Sequence, residues 1–493
     1  MIDHLPALQV VIPLMAAPLS ALFRPGRAVW VLAIAASGLS LLIASLLLSQ
    51  VLERGVISYA MGSWPAPWGI EYRVDAANAF MLLIVSLIGT VVIAFARPFV
   101  ELRLRLPADK QPWFYTAYLL CLTGLLGMIV TGDAFNVFVF LEISSLSSYV
   151  LISLGRDRRA LTAAYQYLIM GTIGATFILI GIGLLYVMTG TLNMMDLAAR
   201  IPAVSGTRTL RAAFAFLTVG VSLKLALFPL HLWLPNAYAY APSPVTAFLA
   251  ATATKVAIYV LLRFFFTIFG AEFSFNVMQL DRILLPLALI GIFSASLVAI
   301  FQTNVKRMLA YSSVAQIGYM ILGVSLVSVS GLTSTLSHLF NHALMKGALF
   351  MAVGCMAFRI GAVSLERIAG VGRMMPWSMG AFVIGGLSLI GAPLTAGFVS
   401  KWYLILGALE KGWWPVAALV LLTSLLAVIY IWRVVEAAYF KPAPDGPPLQ
   451  EAPLTLLIPT WALALANLYF GVETSLNAEV ARRAAETLLG VAP

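Results

Sequence analysis

Charge is what this chain has least of. Asp, Glu, Lys and Arg together make up 10% of its 493 residues, against 61% hydrophobic residues, and the mean hydropathy is +0.97. That balance excludes a soluble globular domain. Cysteine is nearly absent. The two present, Cys121 and Cys355, both lie in apolar runs, so neither a disulfide framework nor a metal-ligand cluster is expected. No CxxC pair, P-loop or GxGxxG stretch offers a redox centre or a nucleotide site, and no cofactor is expected. No basic segment precedes the first apolar run, which therefore reads as a retained helix rather than a cleaved signal.

What the chain has in abundance is long apolar runs, each of about 20 residues and long enough to cross a bilayer. The predicted fold class is an all-α polytopic membrane protein. About 14 spans are expected, near 5–23, 28–52, 76–100, 113–131, 134–154, 160–189, 210–233, 243–269, 283–303, 307–328, 332–358, 376–408, 413–440 and 452–472. The net charge of +10 follows from orientation rather than from nucleic-acid binding. The odd-numbered loops hold 16 Lys and Arg residues, Arg24, Arg103, Arg105 and Arg156 among them, whereas the even-numbered loops hold seven. By the positive-inside rule the odd loops are cytoplasmic and both termini face outside, in a cell (inner) membrane. Small residues such as Ala35-Ala36-Ser37-Gly38 in span 2 read as packing surface. Residues 56–72 read as a short external hairpin or loop with interfacial aromatics. The tail 477–489 is short, charged and amphipathic, and reads as an interfacial helix.

Against this background a few polar residues stand out. Lys224 lies inside span 7, with Pro229 five residues later, and Lys255 lies inside span 8. A lysine at the centre of a bilayer costs about 2.5–3.5 kcal/mol even on lenient insertion scales. Ionisable groups beside broken helices are what ion translocation uses. Among the 20 acidic residues only Glu142 sits deep within a span; Asp133, Glu436 and the rest fall in loops or at span ends. One reading of Glu142 is a protonated carboxyl bonded to Ser144, Ser145 or a backbone carbonyl. The other is a proton carrier or the counter-ion of a buried lysine. His231, past the Pro229 break, reads either as an interfacial histidine near Trp233 or as part of a proton path.

In span 11, His338, His342 and Lys346 recur at i, i+4 and i+8, one stripe on one helix face. Two histidines at i, i+4 can hold a metal, but no HExxH glutamate or further ligand accompanies them, so a hydrated titratable row is expected and no metal. Span 12 is interrupted by Pro393, with Lys401 just after it. Spans 4–8 and 9–13 thus form two units of similar length, each with a proline-broken, lysine-bearing fourth helix. Five helices per unit places the second inverted relative to the first. The expected divisions are 1–112, 113–270, 283–440 and 441–493.

Five segments carry a resemblance: FNVFVFLEISSLSSYVLI, LKLALFPLHLWLPNAYAYAPSPVTAFLAATATK, KRMLAYSSVAQIGYM, HLFNHALMKGALF and APLTAGFVSKW. Over spans 4 to 12 the chain resembles the antiporter-like subunits shared by Mrp-type cation/proton antiporters and respiratory complex I, the Mrp D-type subunits most of all. The resemblance implies two pseudo-symmetric five-helix units joined by a polar axis at mid-membrane. It implies that Glu142 and Lys224 form a charge pair, that Lys255 bridges, that His338 links to the second half and that Lys401 ends the row. The implied function is proton translocation in a multisubunit Na+/H+ antiporter. The alternative is a proton-pumping subunit of a complex I-type oxidoreductase or a membrane-bound hydrogenase. Either way the chain is expected to be an ion-transport subunit without its own redox centre, partnered by other membrane subunits. A stand-alone bicarbonate or cation carrier and a structural scaffold are the remaining readings. No acidic cluster suited to a sodium cage is visible, which places sodium passage in a partner or at an interface.

Overall fold

Helices begin where a short polar side chain can take up free backbone N–H groups, and end where glycine or proline interrupts. A computed structural model describes residues 2–23, 26–104, 106–443 and 449–491. Arg24 and Arg105, counted above for orientation, lie outside the described residues. Helices α1 (Leu5–Leu22) and α2 (Arg27–Arg54) lead into a hairpin, β1 (Ile57–Ala60) and β2 (Glu71–Val74), antiparallel with Ile57 opposite Val74. Helix α3 (Ala76–Leu102) starts at a capping box, in which Asp75 accepts from the Asn78 backbone and Asn78 from the Asp75 backbone. Next come α4 (Gln111–Val130), α5 (Ala134–Ser153), α6 (Arg159–Thr189) and a short α7 (Met194–Val204).

The seventh expected span is two pieces, α8 (Arg208–Leu225) and α9 (Trp233–Tyr240), and it runs further than the sequence predicted. The eighth is also two pieces, α10 (Ser243–Ala251) and α11 (Ala253–Leu262). After α12 (Asp281–Ile300) and α13 (Val305–Ser325) comes α14 (Val329–Ile360), 32 residues buried along almost its whole length. A one-turn α15 (Val371–Met374) precedes the twelfth expected span, again in two pieces, α16 (Pro376–Ile390) and α17 (Ala396–Glu410). Helices α18 (Trp414–Phe440), α19 (Leu454–Val472) and α20 (Val480–Leu489) complete the chain. Among the described residues, 12 helices are long and apolar enough to cross a membrane, counting α10–α11 as one. Of the halves of the seventh and twelfth expected spans, α9, α16 and α17 are too short to be among them, and α8, though 18 residues long, carries Arg208, Arg211 and Lys224.

The hairpin is tied into the bundle rather than projecting from it. Tyr72 bridges Thr131, Asp133 bridges Asn193, and Asn193 donates to Glu71 at 2.8 Å. This sews β2 to the starts of α5 and α7 on one face. In span 2, Ala36 and Ser37 are buried as expected, while Ala35 is exposed. The tail departs from expectation. The apolar face of helix α20 is not left for lipid; its Ala481, Ala484, Ala485 and Leu488 are buried against α3 and α14. Ahead of it, Asn477 is fully buried and donates to Asn341 at 3.0 Å. An amphipathic pattern gives an apolar face, and here protein rather than lipid covers it.

Glycine sets how closely α4 and α5 approach. A Cβ at Gly124 would stand 2.5 Å from Ser144 N and 2.6 Å from Phe140 O. Gly124→Val is therefore expected to force the helices apart at a cost of about 1–3 kcal/mol. The measurement is the thermal unfolding midpoint of the detergent-solubilised protein; an unchanged midpoint would show that this contact does not hold α5 in place.

Candidate functional site

Helix α5 carries Glu142 and helix α8 carries Lys224, and the fold brings them together. Glu142 Oε1 lies 3.8 Å from Lys224 Nζ. That is an ion pair but too long for a hydrogen bond. The hydrogen bond is made instead to Ser145, whose Oγ accepts from Lys224 at 2.8 Å. One sequence reading attaches Ser145 to the carboxyl; the structure attaches it to the ammonium. Gly171 on α6 makes room beside the lysine head for the Tyr149 hydroxyl, with which a Cβ there would collide, while standing at an ordinary contact distance of 3.5 Å from Lys224 Nζ. The Lys224 side chain is 6% exposed, whereas that of Glu142 is 30% exposed. Glu142 is thus at mid-helix as predicted but at the rim of the chain, not enclosed by it.

A cavity of about 30 Å³ lies beside Lys224, lined by Ser144, Ser145, Ser148, Tyr167, Ala253 and Ala257 among others. It is roughly the size for one water molecule. It reaches from the Lys224 cluster to the helix that carries Lys255. Lys255 is fully buried, and its Nζ donates to the Ala250 carbonyl. That carbonyl lies at the break between α10 and α11, where Thr252 leaves helical geometry (φ −125°, ψ −58°). Tyr238 Oη donates to the neighbouring Leu249 carbonyl at 3.2 Å. The sequence has no proline to mark this break, and its apolar run predicts a continuous span 8.

The row on α14 follows. His338 is held at both ends, Nδ1 with Ser400 Oγ at 2.7 Å and Nε2 with Gln316 Oε1 at 2.9 Å. His342 stacks on it, ring centroids 5.6 Å apart and planes 8° from parallel. Both His342 nitrogens are buried without a hydrogen-bond partner among the described residues. Stacked rings do not converge on a common ligand point. Lys346, one turn further, donates to Leu309 O at 2.8 Å and Ser312 Oγ at 2.5 Å.

Lys401 repeats the pattern of Lys255. Its Nζ donates to the carbonyls of Leu389 at 3.1 Å and Ile390 at 2.7 Å, and to Ser424 Oγ at 3.1 Å. Those carbonyls end α16, where Gly391 turns to φ +90° two residues before Pro393. The ammonium also lies 5.0 Å from the centre of the Tyr319 ring, a cation–π contact. His231 is the residue left out. It lies in the stretch 226–232 with Pro229, stacks on Phe228 at 5.4 Å and meets Tyr311 edge-on, with no hydrogen bond to the lysines. Among the described residues no group of three His, Cys, Asp or Glu side chains is placed to hold a metal.

One cluster escapes a reading of the sequence. Asp75, placed at a span end, is 5% exposed and pairs with Arg263 of the segment after α11 at 2.5 Å. Arg263 also donates to Asn78 Oδ1 at 2.5 Å and Tyr259 Oη at 2.8 Å, and Asn78 donates to Tyr259 at 2.7 Å. Tyr259 is one turn from Lys255 on α11, so this cluster bolts the lysine's helix to the start of α3. Residue spacing alone cannot pair positions 188 apart in the chain.

The family model described as "NADH:quinone oxidoreductase/Mrp antiporter, TM" matches residues 131–427. The chain is 42% identical, over 96% of each protein, to NADH-quinone oxidoreductase subunit N of Desulforudis audaxviator. It is 30% identical to the D-type subunit of the Na(+)/H(+) antiporter of Bacillus subtilis, over 92% of this chain and 91% of that one. A chain in the structure of the Mrp complex from Dietzia sp. superposes with a TM-score of 0.90 at 28% identity, over 99% of this chain and 97% of the other.

Arg263→Met leaves the Asp75 carboxylate buried and unpaired, which is expected to cost about 3–5 kcal/mol. Combining it with Asp75→Asn keeps an N-cap for α3 while removing the charge, and part of the stability should return. Thermal midpoints of the two variants test this; a double variant no more stable than the single one would show that the ion pair is not what the arginine supplies.

Proposed function

This chain belongs to the transmembrane family shared by NADH:quinone oxidoreductase and Mrp antiporters, and from that premise we propose that it is the proton-translocating subunit of a larger membrane complex. The observation that carries the reading is the Glu142–Lys224 pair: buried on the lysine side, separated by 3.8 Å, and continued by Lys255, His338 and Lys401. His342 and Lys346 extend the row on α14, and His231 stands outside it.

Removal from water disfavours the charged form of either group, and their mutual attraction opposes this. While Glu142 and Lys224 are close, both stay charged and the proton stays on the lysine. When they separate, desolvation favours release of that proton. Lys255 and the His338 row then pass it toward Lys401 by short hops through water. The carbonyls at the breaks of α10–α11 and α16–α17 hold each lysine without a carboxylate, so the charge is not trapped in a tight pair. The division into two inverted five-helix units fits this course, with broken, lysine-bearing spans in both: α8–α9 and α10–α11 in the first, α16–α17 in the second. Work requires coupling, and the chain is read as an ion-transport subunit whose redox or cation chemistry belongs to its partners.

The higher identity to an NADH-quinone oxidoreductase subunit supports coupling to electron transfer in a quinone-reducing complex. The match to the antiporter's D-type subunit and to the Mrp complex supports the second reading, sodium/proton exchange. The inner cell membrane with both termini outside is the accompanying assignment. The deciding measurement uses everted vesicles from cells carrying the full native gene cluster, with a ΔpH dye. An electron donor is expected to drive proton uptake in wild type, and Glu142→Ala and Lys224→Ala are expected to abolish it with assembly intact. Sodium-dependent dequenching of a ΔpH set up by ATP, with an electron donor driving no proton uptake through the complex, would move the assignment to the antiporter. Full coupled transport with Lys224→Ala would remove the proposal altogether.

A further inference from the structure

On the face opposite the hairpin a second cavity, of about 340 Å³, is walled by the ends of several helices. Its charged lining is Arg103, Arg156, Arg159 and Lys306, against a single carboxylate, Asp157. That carboxylate is spoken for. Arg159 pairs with it at 2.6 Å and lies over the Tyr240 ring at 4.7 Å. The other three cations have no carboxylate within ion-pair distance among the described residues. Lys306 is 7% exposed, and its Nζ donates to the Ala241 carbonyl at 2.9 Å. Arg103 donates to the Phe358 carbonyl and lies over the Phe358 ring at 4.8 Å. Burial first, then the charges of Arg156 and Arg359, hold the Arg103 guanidinium below its usual range. Like charges are packed together here with no free carboxylate among the described residues to neutralise them.

The backbone adds to the field. Helix α6 starts at Arg159, α10 at Ser243 and α13 beside Asn304, and all three residues line the cavity. Helix α10 has no side chain capping its first N–H groups, whereas on α6 Asp157 Oδ1 accepts from the Arg159 backbone N–H at 2.9 Å. Helix starts carry partial positive charge and favour anions. The wall is held tightly, since a Cβ at Gly155 would collide with the Tyr240 carbonyl.

We propose that this cavity is a binding site for a phosphate group, held by Arg103, Arg156 and Lys306, and supplied by the headgroup of an anionic phospholipid or by soluble phosphate. Guanidinium forks match phosphate oxygens in pairs, and lysine adds a point charge. Basic pockets between membrane helices bind anionic headgroups by this chemistry. The volume suits a headgroup-sized ligand. The site sits at the ends of spans, on the face richer in basic residues, so the lipid is the first source to examine. The inference is independent of which ion the axis carries.

The test is protection of Arg103 and Arg156 from phenylglyoxal, read peptide by peptide by mass spectrometry, in the intact complex after delipidation in neutral detergent. Protection by added phosphatidylglycerol but not by inorganic phosphate establishes the site with a lipid ligand. Protection by inorganic phosphate as well establishes it as a site for the free anion. Protection by neither, or equally by phosphatidylcholine, overturns the proposal. As a second measurement, Arg103→Gln/Arg156→Gln is expected to retain phosphatidylglycerol on the order of tenfold less in native mass spectrometry, with Arg103→Lys/Arg156→Lys close to wild type. Equal retention by the glutamine variant also overturns it.

Discussion

Everything in this chain turns on how a buried ammonium is kept without a buried carboxylate. A charged group removed from water must be paired or hydrogen-bonded to charge-free dipoles. For Lys255 and Lys401 the dipoles are backbone carbonyls made available by interrupting a helix. Ala250 serves Lys255, and Leu389 and Ile390 serve Lys401. In an unbroken helix those carbonyls would be committed to N–H groups four residues on. The breaks are thus part of the solvation of the lysines, not merely hinges. Lys346 shows the variant of the same solution, borrowing Leu309 O from the neighbouring helix.

Lys224 is solved differently, and the difference organises the row. Its own helix ends one residue later, but the carbonyl of Leu223 is taken by Trp233 Nε1 at 3.0 Å. What remains for the ammonium is Ser145 and, further off, Glu142. Of the lysine and histidine positions along the row, this is where a formal negative charge stands opposite. A neutral acceptor binds an ammonium about equally well wherever the other charges are. A carboxylate 3.8 Å away makes the balance depend strongly on its distance and surroundings. Sensitivity to change is therefore concentrated at one end of the row.

How much of this is legible in the sequence follows from what sequence can encode locally. Apolar runs mark the spans, and Pro229 and Pro393 mark two breaks, because proline removes a backbone donor wherever it stands. The i, i+4, i+8 spacing puts His338, His342 and Lys346 on one face, and the helix geometry keeps them there. The break at Thr252 is invisible because no proline or glycine makes it; it is stabilised by Tyr238 and Lys255 reaching its carbonyls. Asp75 falls among the acidic residues at span ends and Arg263 carries no signal of its own in the sequence, since their pairing is purely tertiary. The tail reads as surface-seeking because amphipathicity does not say whether lipid or protein covers the apolar face. Gly171 gains its meaning only once Tyr149 and Lys224 converge on it.

The rim position of Glu142 carries the argument one step further. Its Oε1 is buried and faces Lys224 with no hydrogen bond of its own, while the side chain as a whole is 30% exposed at the edge of α5. Residues along the same edge, Phe135, Val139, Leu146 and Val150, are exposed and apolar. A carboxylate on such an edge takes its dielectric environment from whatever lies against it. The effective attraction between unit charges at this range changes severalfold between a wet and a dry setting. Lys255, His338 and Lys401 have their surroundings fixed by the chain itself. Glu142 does not, so the strength of the first pair is the property of the row that a neighbour can set.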